Sequence, residues 1–435
     1  MRKKGRLCIG IVLILMLGLS LPCFMCSAKI KPKEQMYGWV NNNKNTIQLN
    51  KKATDSMIGK TSKQKLKNAS DVSALKKLIR KQRKRGATVP VNIDARCYKW
   101  NDKGRLIGIA WIEDKLKGRI SFSKFSCLET LEIYMNRLTG LDVSGNKKLK
   151  YINCEYNQLT SLNVSHNTNL EQLYCEENKL TKLNVSQNKK LKVLVCSCNK
   201  LTSLDIRNNL DLDCLGCEEN RLTELDISFQ TKLEALWCAD NKLTDLDVSQ
   251  NILLKNLYCS SNRLLNLDIS KNKNLKDLDC AANKLTKLDV SQNTVLKELD
   301  CSYNQLNALD ISMLSKLREL NCDDNQLVDL NVRQNQELEW LECDGNQLTE
   351  LDVSQNKKLE TLSCNENQLM VLDVTHNPEL DILECMKNQL TKLNVSKNKK
   401  LESLWCNGNK IKKLNLKNNK ELYEFGCNKM VKIVR

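Results

Sequence analysis

The sequence predicts a solenoid in which short coils stack along one axis and each coil adds a strand to a parallel β-sheet. Three observations support this fold class. Cysteine recurs every 21 residues from Cys154 to Cys427, asparagine follows three residues after each cysteine up to Asn409, and leucines stand at fixed offsets between them. Self-similarity at such a period is typical of repeat proteins, in which each unit contacts only its neighbours.

The repeated unit is LxxLxCxxNxLTxLDVSxNxx, as in LEALWCADNKLTDLDVSQN at residues 233–251. Ile133 takes the place of cysteine in the first full unit, and Trp111 takes it in a degenerate unit before that, which gives sixteen units. Leucines at this spacing, with asparagine at the turn, are the signature of leucine-rich repeats. We therefore expect one curved, right-handed superhelical domain, with a parallel sheet on its concave face and short strands or turns on its convex face.

Side-chain alternation along each strand predicts which residues are buried. In LWC, Leu236 and Cys238 face inward while Trp237 faces outward. Cysteine is a small hydrophobe that is often buried, so we predict that the repeated cysteines, the cysteine ladder, are free structural thiols. Asn157 and its equivalents should turn inward to bond backbone groups at the tight bend. Whether Cys97 and Cys127 form a disulfide stays open at this stage.

The pattern LxCxxNxLTxLDVSxN, with cysteine replacing a core leucine in 21-residue units, resembles the internalin-type leucine-rich repeats of bacteria. The resemblance covers residues 128–419, about two thirds of the chain. It implies a secreted or surface-exposed adhesin whose concave face binds host proteins or glycans. Because no LPxTG sorting motif follows Cys427, we expect retention at the cell surface to be non-covalent.

The amino-terminal region predicts export. A basic start, an apolar run over residues 7–21 and small residues at Ser27 and Ala28 have the layout of a secretory signal peptide. The apolar run is too short to cross a bilayer easily, so we expect no transmembrane segment in the mature chain. The predicted domains are a signal peptide at 1–28, a flexible basic leader at 29–69, an amino-terminal cap at 70–127 and the repeat array at 128–435.

Charge is distributed unevenly along the chain. The net charge is +18, and residues 29–99 alone contribute +15. The cap contains SDVSALKKLIRKQRKRG, which predicts an amphipathic helix that is capped by Ser70 or Asp71, stops at Gly86 and covers the apolar edge of the first strand. A basic face of this kind can bind nucleic acid, anionic lipid or cell-wall polymers. An anionic cell-surface polymer and a solvated helix face without a partner both stay open, and nucleic acid is unlikely. Its basic residues are Lys76, Lys77, Arg80, Lys81, Arg83, Lys84 and Arg85.

The concave face is predicted to be acidic and aromatic. We define it by four positions in each of fifteen units, three and one before the ladder position and one and two after it. These positions hold 19 acidic residues and only two basic ones, Lys387 and Lys429. Most aromatic residues of the array fall in the same positions, and aromatic side chains displayed on a surface indicate a contact site. The predicted ligand-binding residues are Tyr174, Trp237, Tyr258, Asp279, Asp300, Glu319, Asp323, Trp340, Glu342, Asp344 and Trp405.

Four carboxylates on this face are predicted to lie at the corners of a small rectangle: Asp277, Asp279, Glu298 and Asp300. Strand spacing and strand rise set its sides at roughly 4.8 and 6.6 Å. Carboxylates this close repel one another. A calcium ion, the lysine and arginine side chains of a partner, or simple solvation would relieve that repulsion, and the sequence leaves these three readings open.

An enzyme is not expected. The chain has two histidines, His166 and His376, both beside asparagines on the opposite loops, and no phosphate-cradling glycine-rich loop. The acid pairs belong to a shallow repetitive surface, whereas hydrolases need a pocket. The sequence thus predicts an exported binding protein without a firm cofactor. A glycan-binding module and a self-associating matrix protein, joined through the open edge near residues 430–435, are the alternatives.

Overall fold

A computed structural model describes residues 66–435. The predicted signal peptide and residues 29–65 of the predicted leader lie outside this part of the chain. Within it, no helix is long and apolar enough to cross a membrane. The elements are α1 (Ala69–Arg83), β1 (Tyr98–Trp100), β2 (Leu106–Ala110), β3 (Lys117–Ser121), β4 (Thr130–Glu132), β5 (Arg137–Asp142), β6 (Tyr151–Asn153), β7 (Gln172–Tyr174), β8 (Val193–Val195), β9 (Cys214–Gly216), β10 (Ala235–Trp237), β11 (Asn256–Tyr258), β12 (Asp277–Asp279), β13 (Glu298–Asp300), β14 (Glu319–Asn321), β15 (Trp340–Glu342), β16 (Thr361–Ser363), β17 (Ile382–Glu384), β18 (Ser403–Trp405), β19 (Lys413–Asn415), β20 (Glu424–Gly426) and β21 (Lys432–Val434).

One parallel sheet runs the length of the array. Strands β2, β4, β6 to β18 and β20 pair in chain order, and β1 joins β2 antiparallel, giving 17 strands. The strands from β6 to β18 pair residues that are 21 apart, as in Leu236 with Leu257. In the described part of the chain, the opposite side of the array holds turns and short pairings, namely β3 with β5, β19 with β21 and a single parallel bridge between Asn163 and Asn184. The predicted leucine-rich-repeat solenoid is confirmed.

The cysteine ladder lies inside the coils. Its members from Cys154 to Cys406 are buried, the terminal Cys427 is half-buried, and every described cysteine is a free thiol, including Cys97 and Cys127. The thiol of Cys343 donates to the carbonyl of Ser363 in the next coil at 3.4 Å. Burial raises the pKa of these thiols, to about 12 for Cys196. The prediction of free structural thiols agrees with this placement.

Asparagine side chains bond neighbouring coils together. Asn283, three residues after Cys280, donates through Nδ2 to the carbonyls of Cys259, Cys280 and Ala281 at 3.0–3.2 Å, and its Oδ1 accepts from the backbone of Leu264. A second asparagine ladder lies in the opposite loops, where Nδ2 of Asn293 donates to carbonyls of the preceding coil. Because each such side chain satisfies buried backbone groups of two coils, the ladders fix the stacking.

The residue two positions after each ladder position from Ile133 to Cys406 has a left-handed backbone. Its φ lies between +48° and +55° at non-glycine positions from Met135 to Lys387. Only Gly345 and Gly408 supply glycine there, so most coils carry a side chain at this strained turn. The turn ends each strand and points the following residues toward the core.

The cap differs in two details from the sequence prediction. Helix α1 is capped by Asn68, whose side chain accepts from the backbone of Asp71; capping by Ser70 or Asp71 was wrong. The sheet edge is covered by β1, while the helix packs Leu75 and Ile79 into the core. A strand offers the edge the backbone hydrogen bonds that a helix has already used internally, which is the physical reason for this arrangement.

Candidate ligand-binding face

Register places like positions of successive coils side by side on the concave face. Asp277, Glu298, Glu319 and Trp340 form one row across β12 to β15. A second row runs beside the first and takes one residue from each of the same strands: Asp279, Asp300, Asn321 and Glu342. The two rows form because inward leucines alternate with outward residues in each three-residue strand. Acidic side chains thus follow one another across neighbouring strands.

The predicted carboxylate rectangle is present, and protein groups contact its members. Asp277 accepts from the Asn256 amide, and Asp279 accepts from the Ser260 hydroxyl at 2.8 Å. Burial and the Glu298 charge raise the pKa of Asp277 to about 6. Burial and the Asp300 charge raise the pKa of Asp279 as well. These carboxyl groups therefore hold protons more readily than ordinary aspartates.

A metal-ligand cluster is not found in residues 66–435: no three histidine, cysteine, aspartate or glutamate side chains converge there as a potential site. The rectangle spreads its carboxylates over two strands, and Asp300 directs its Oδ1 to the Ser302 hydroxyl at 2.6 Å. Calcium ligation needs six to eight oxygens around one point. Calcium at this rectangle therefore stays a prediction that the geometry does not favour.

A second group surrounds Asp344. Its carboxylate accepts from the Ser363 hydroxyl at 2.8 and 2.9 Å, and from the backbone and amide of Asn365 at 2.6 and 3.0 Å. Burial raises the pKa of Asp344 to about 6 in spite of these hydrogen bonds, which favour its charged form. Asp323 in turn accepts from the backbone of Asp344 at 2.7 Å. Sequence reasoning missed Ser363 and Asn365, whose only signal is that they occupy face positions one coil later.

Three predicted aromatic contacts are buried, so their expected exposure was wrong. Tyr174, Trp237 and Tyr258 retain only 3%, 1% and 5% of their accessible surface. The rings of Trp237 and Tyr258 stack with centroids 6.0 Å apart and planes 4° apart, and Tyr174 packs against Tyr151 at 5.6 Å. Parallel rings on adjacent strands cover each other's faces. The sequence pattern within one coil does not show this packing, because the two rings belong to successive coils.

The remaining site residues divide into separate groups along the array. Glu319, Asp323, Trp340, Glu342 and Asp344 lie on or directly after β14 and β15, and all are partly exposed. We call these five residues the acidic patch. Asp279 and Asp300 lie on the neighbouring β12 and β13. Tyr174 on β7 and Trp405 on β18 stand eleven strands apart, about 50 Å at the usual strand spacing, so one small ligand cannot reach both.

Comparisons with known proteins agree with this architecture. No family model and no curated protein sequence matches the chain. The functional domain of InlJ from Listeria monocytogenes, a solved structure that includes a cysteine ladder, is 40% identical, with a TM-score of 0.69; the match covers 70% of this chain and 68% of that one. A leucine-rich-repeat protein of Leptospira interrogans is 26% identical, with a TM-score of 0.62, over 70% of this chain and 90% of that one.

A more distant solved structure shares the fold alone. The plant peptide hormone receptor RGFR1, in complex with RGF2, is 20% identical, with a TM-score of 0.64, over 72% of this chain and 61% of that one. The InlJ match carries more weight because it combines 40% identity with a cysteine ladder, which this chain has from Cys154 onward. The chain belongs to the internalin-type family of bacterial leucine-rich-repeat proteins with a cysteine ladder.

Proposed function

We propose that this chain is an exported binding protein that recognises a cationic protein partner through the acidic patch. The observation that carries the proposal is the side-by-side placement of carboxylates across β12 to β15, which extends into the acidic patch, where burial raises the pKa of Asp344 to about 6. A lysine or arginine from a partner would relieve this repulsion and gain charge-assisted hydrogen bonds. Membership of an interaction-type repeat family supports a protein-binding role in general.

Trp340 gives the acidic patch an apolar anchor. Its strand neighbours in the same row are Glu319 and Thr361. A partly exposed tryptophan surrounded by carboxylates suits a partner segment that combines a basic residue with an apolar one. Tyr174, Trp237 and Tyr258, being buried, would support the shape of the face and contact a ligand only if their packing opened. Trp405 lies too far along the array to belong to the same contact.

The basic cap offers a second contact, which fits retention at a cell surface. Exposed Lys76, Arg80, Arg83 and Lys84 of α1 and its end border a cavity of about 540 Å³ together with Val91. We propose that an anionic cell-surface polymer binds there after export of the mature chain. Such attraction is electrostatic, so it weakens as salt shortens the screening length to about 10 Å and below.

The test uses purified mature protein and candidate partners in surface plasmon resonance at two salt concentrations. Charge reversal at Glu319, Asp323 and Asp344 should reduce the affinity for a cationic partner at least about tenfold. The reason is that each desolvated charge contact contributes about 1 kcal/mol or more to binding. Reversal of the pair Lys357 and Lys358, which lies outside the concave face, serves as the control and should leave affinity unchanged. Loss of binding in the control alone would show that the wrong surface was chosen.

The alternatives predict different outcomes of the same experiment. A glycan ligand, whose hydroxyls and ring faces contact acids and aromatics, should be insensitive to salt and most sensitive to Trp340→Ala or Trp237→Ala. A matrix protein should instead assemble with itself as its concentration rises, which sedimentation velocity measures directly. Calcium at Asp277, Asp279, Glu298 and Asp300 predicts a rise in melting temperature on adding the ion, by the linkage between binding and stability.

A further inference from the structure

A row of basic residues lies on one flank of the array, four positions before the ladder cysteine and outside the concave face. Lys255, Lys276, Lys297 and Arg318 occupy this position in four successive coils. Their backbones are hydrogen-bonded in line, with Lys276 N to Lys255 O at 2.8 Å, Lys297 N to Lys276 O at 2.7 Å and Arg318 N to Lys297 O at 2.8 Å. The row is therefore a rigid one, about 14 Å long at the usual coil spacing.

The same position is acidic in the coils on either side. Asp213 and Glu234 precede the row, and Glu339, Glu360, Asp381 and Glu402 follow it. The two ends of the row are neutralised by these neighbours, since Lys255 pairs with Glu234 at 2.8 Å and Arg318 with Glu339 at 2.7 Å. The concentration of positive charge is thus confined to the middle of the row.

Lysines elsewhere on this flank meet a carboxylate one coil away. Examples are Lys192 with Glu171 at 3.4 Å and Lys358 with Glu337 at 2.6 Å. Lys276, Lys297 and the nearby Lys316 are exposed, and within residues 66–435 no direct ion pair joins them to an acidic side chain. The nearest compensating charge is that of Asp277, which interacts with Lys276 and Lys297 at longer range. Like charges held this close on a rigid row repel one another, so an anion that bridges them would be bound favourably.

These lysines line a cavity of about 330 Å³. Lys255, Lys276, Lys297 and Lys316 form its basic wall, and Asn274 and Val295 complete the lining. We propose that this cavity, the flank site, binds a linear polysaccharide that carries sulfate esters and runs along successive coils. Lysine ammonium groups bind the sulfates, and Val295 contacts the apolar edge of a sugar ring. Because Nδ2 of Asn274 donates to the Ile252 carbonyl at 3.1 Å, its Oδ1 is the atom that accepts from a sugar hydroxyl.

The lining distinguishes a sugar polymer from a nucleic acid. Single-stranded nucleic acids bind by stacking bases on aromatic side chains in addition to charge, and no aromatic residue borders the cavity. The length of the row, about three coil spacings, exceeds one small anion and suits a chain of anionic groups. The flank site is separate from the acidic patch, so it can be true whether or not the proposed function is.

The experiment measures a sulfated hexasaccharide binding to the full mature protein by isothermal titration calorimetry. Lys276→Gln combined with Lys297→Gln should reduce affinity about tenfold and lower the salt dependence by about two ion equivalents. The matched control, Lys357→Gln combined with Lys358→Gln, removes the same charge from another flank position and should bind as wild type. An equal loss of affinity in both double variants would show that binding depends only on the net charge of the protein, and would overturn the proposal.

A footprint keeps the test independent of the basic cap, which also attracts anions. Lysine acetylation read by mass spectrometry should find Lys276 and Lys297 protected by the hexasaccharide, while Lys357 and Lys358 react as before. Reaction of Lys276 and Lys297 at the unprotected rate would refute the flank site even if the protein binds the sugar elsewhere. Protection by inorganic polyphosphate but not by the sugar would refute the ligand class.

Discussion

The carboxylate of Asp71 and the guanidinium of Arg105 form a two-pronged ion pair at the amino-terminal end of the solenoid, with Nε to Oδ2 at 2.8 Å and Nη2 to Oδ1 at 3.1 Å. The same Oδ2 accepts from the backbone of Leu106, the first residue of β2, at 3.0 Å. Asp71 is buried, with 1% of its surface exposed. One carboxylate thereby joins helix α1 to the first parallel strand.

Asp71→Ala should open the cap. The change removes three hydrogen bonds and leaves the Leu106 amide without its acceptor, so we expect a loss of about 2–3 kcal/mol of local stability. Hydrogen exchange at the amides of β2 measures this opening directly. Asp245→Ala, at an exposed position, is the control and should leave exchange unchanged. Protection of Leu106 that equals wild type would contradict the role given to Asp71.

Removal of one ladder asparagine should weaken two coils at once. Asn283→Ala deletes the donor to three carbonyls and the acceptor for Leu264, so buried backbone groups lose partners at a cost of about 2–4 kcal/mol. Chemical denaturation followed by circular dichroism gives the change. Asn266→Ala, an exposed asparagine of the preceding coil, should be nearly neutral. If the two variants unfolded at the same denaturant concentration, the ladder would not contribute to stability as described.

Thiol labelling should separate buried from accessible cysteines. The thiolate is the reactive form, and burial raises the pKa of the ladder thiols, so a thiol reagent should label native protein slowly at those positions even at pH 8. The half-buried Cys97, Cys127, Cys198 and Cys427 should react first. Mass spectrometry of labelled peptides, native and denatured, identifies the sites. Rapid native labelling of Cys343, or a disulfide between ladder cysteines, would contradict the structure.

Stability should fall as pH rises through 6 because of the carboxylates on the concave face. The pKa of Asp277 is about 6 in the folded chain, against about 3.9 when unfolded, so folding takes up a proton between those values. Its contribution favours the native state at pH 5 over pH 8. Asp277→Asn should therefore raise the melting temperature at pH 8 by about 1–2 °C and change it less at pH 5.

Asp352 supplies the opposite sign as a control for the pH experiment. Hydrogen bonds from Ser354 and Arg333 lower its pKa to about 2, so its contribution is present above pH 4 and is lost as pH falls toward 2. Asp352→Asn should lower the melting temperature at pH 8. Opposite shifts in melting temperature for the two variants at pH 8 would exclude an unspecific effect, because both substitutions remove one negative charge.

Much of the fold follows from spacing alone. A constant interval between Cys154 and Cys427 leaves one way to stack the coils, with leucine and cysteine inward and the asparagines at the bends. The helix cap was harder to predict because Ser70 and Asp71 are both residue types that cap helices well. Asn68 caps the helix instead, because Asp71 forms an ion pair with Arg105, 34 residues away along the chain. Interval and propensity carry no information about that contact.

The binding face was predictable in charge but not in exposure. Counting the residues at equivalent positions of successive units predicted the acidic rows of β12 to β15, because the strand register follows from the repeat. It did not give the burial of Trp237, which depends on how its ring lies against Tyr258 in the next coil. The basic row of the flank was also missed. The position just before each strand is basic in some coils and acidic in others, so its net charge over the whole chain is small. The basic row becomes evident only when this position is compared from one coil to the next.

The asparagine ladder has a consequence for how such molecules change over evolutionary time. Asn304 bonds the carbonyl of Cys280 one coil back in the same way that Asn283 bonds Cys259. Loss of one whole 21-residue segment would therefore rejoin equivalent donors and acceptors, and duplication would insert a matching set. Genetic insertions and deletions of complete units can then alter the reach of the molecule in steps of about 4.8 Å, while a partial unit would break the register on both sides.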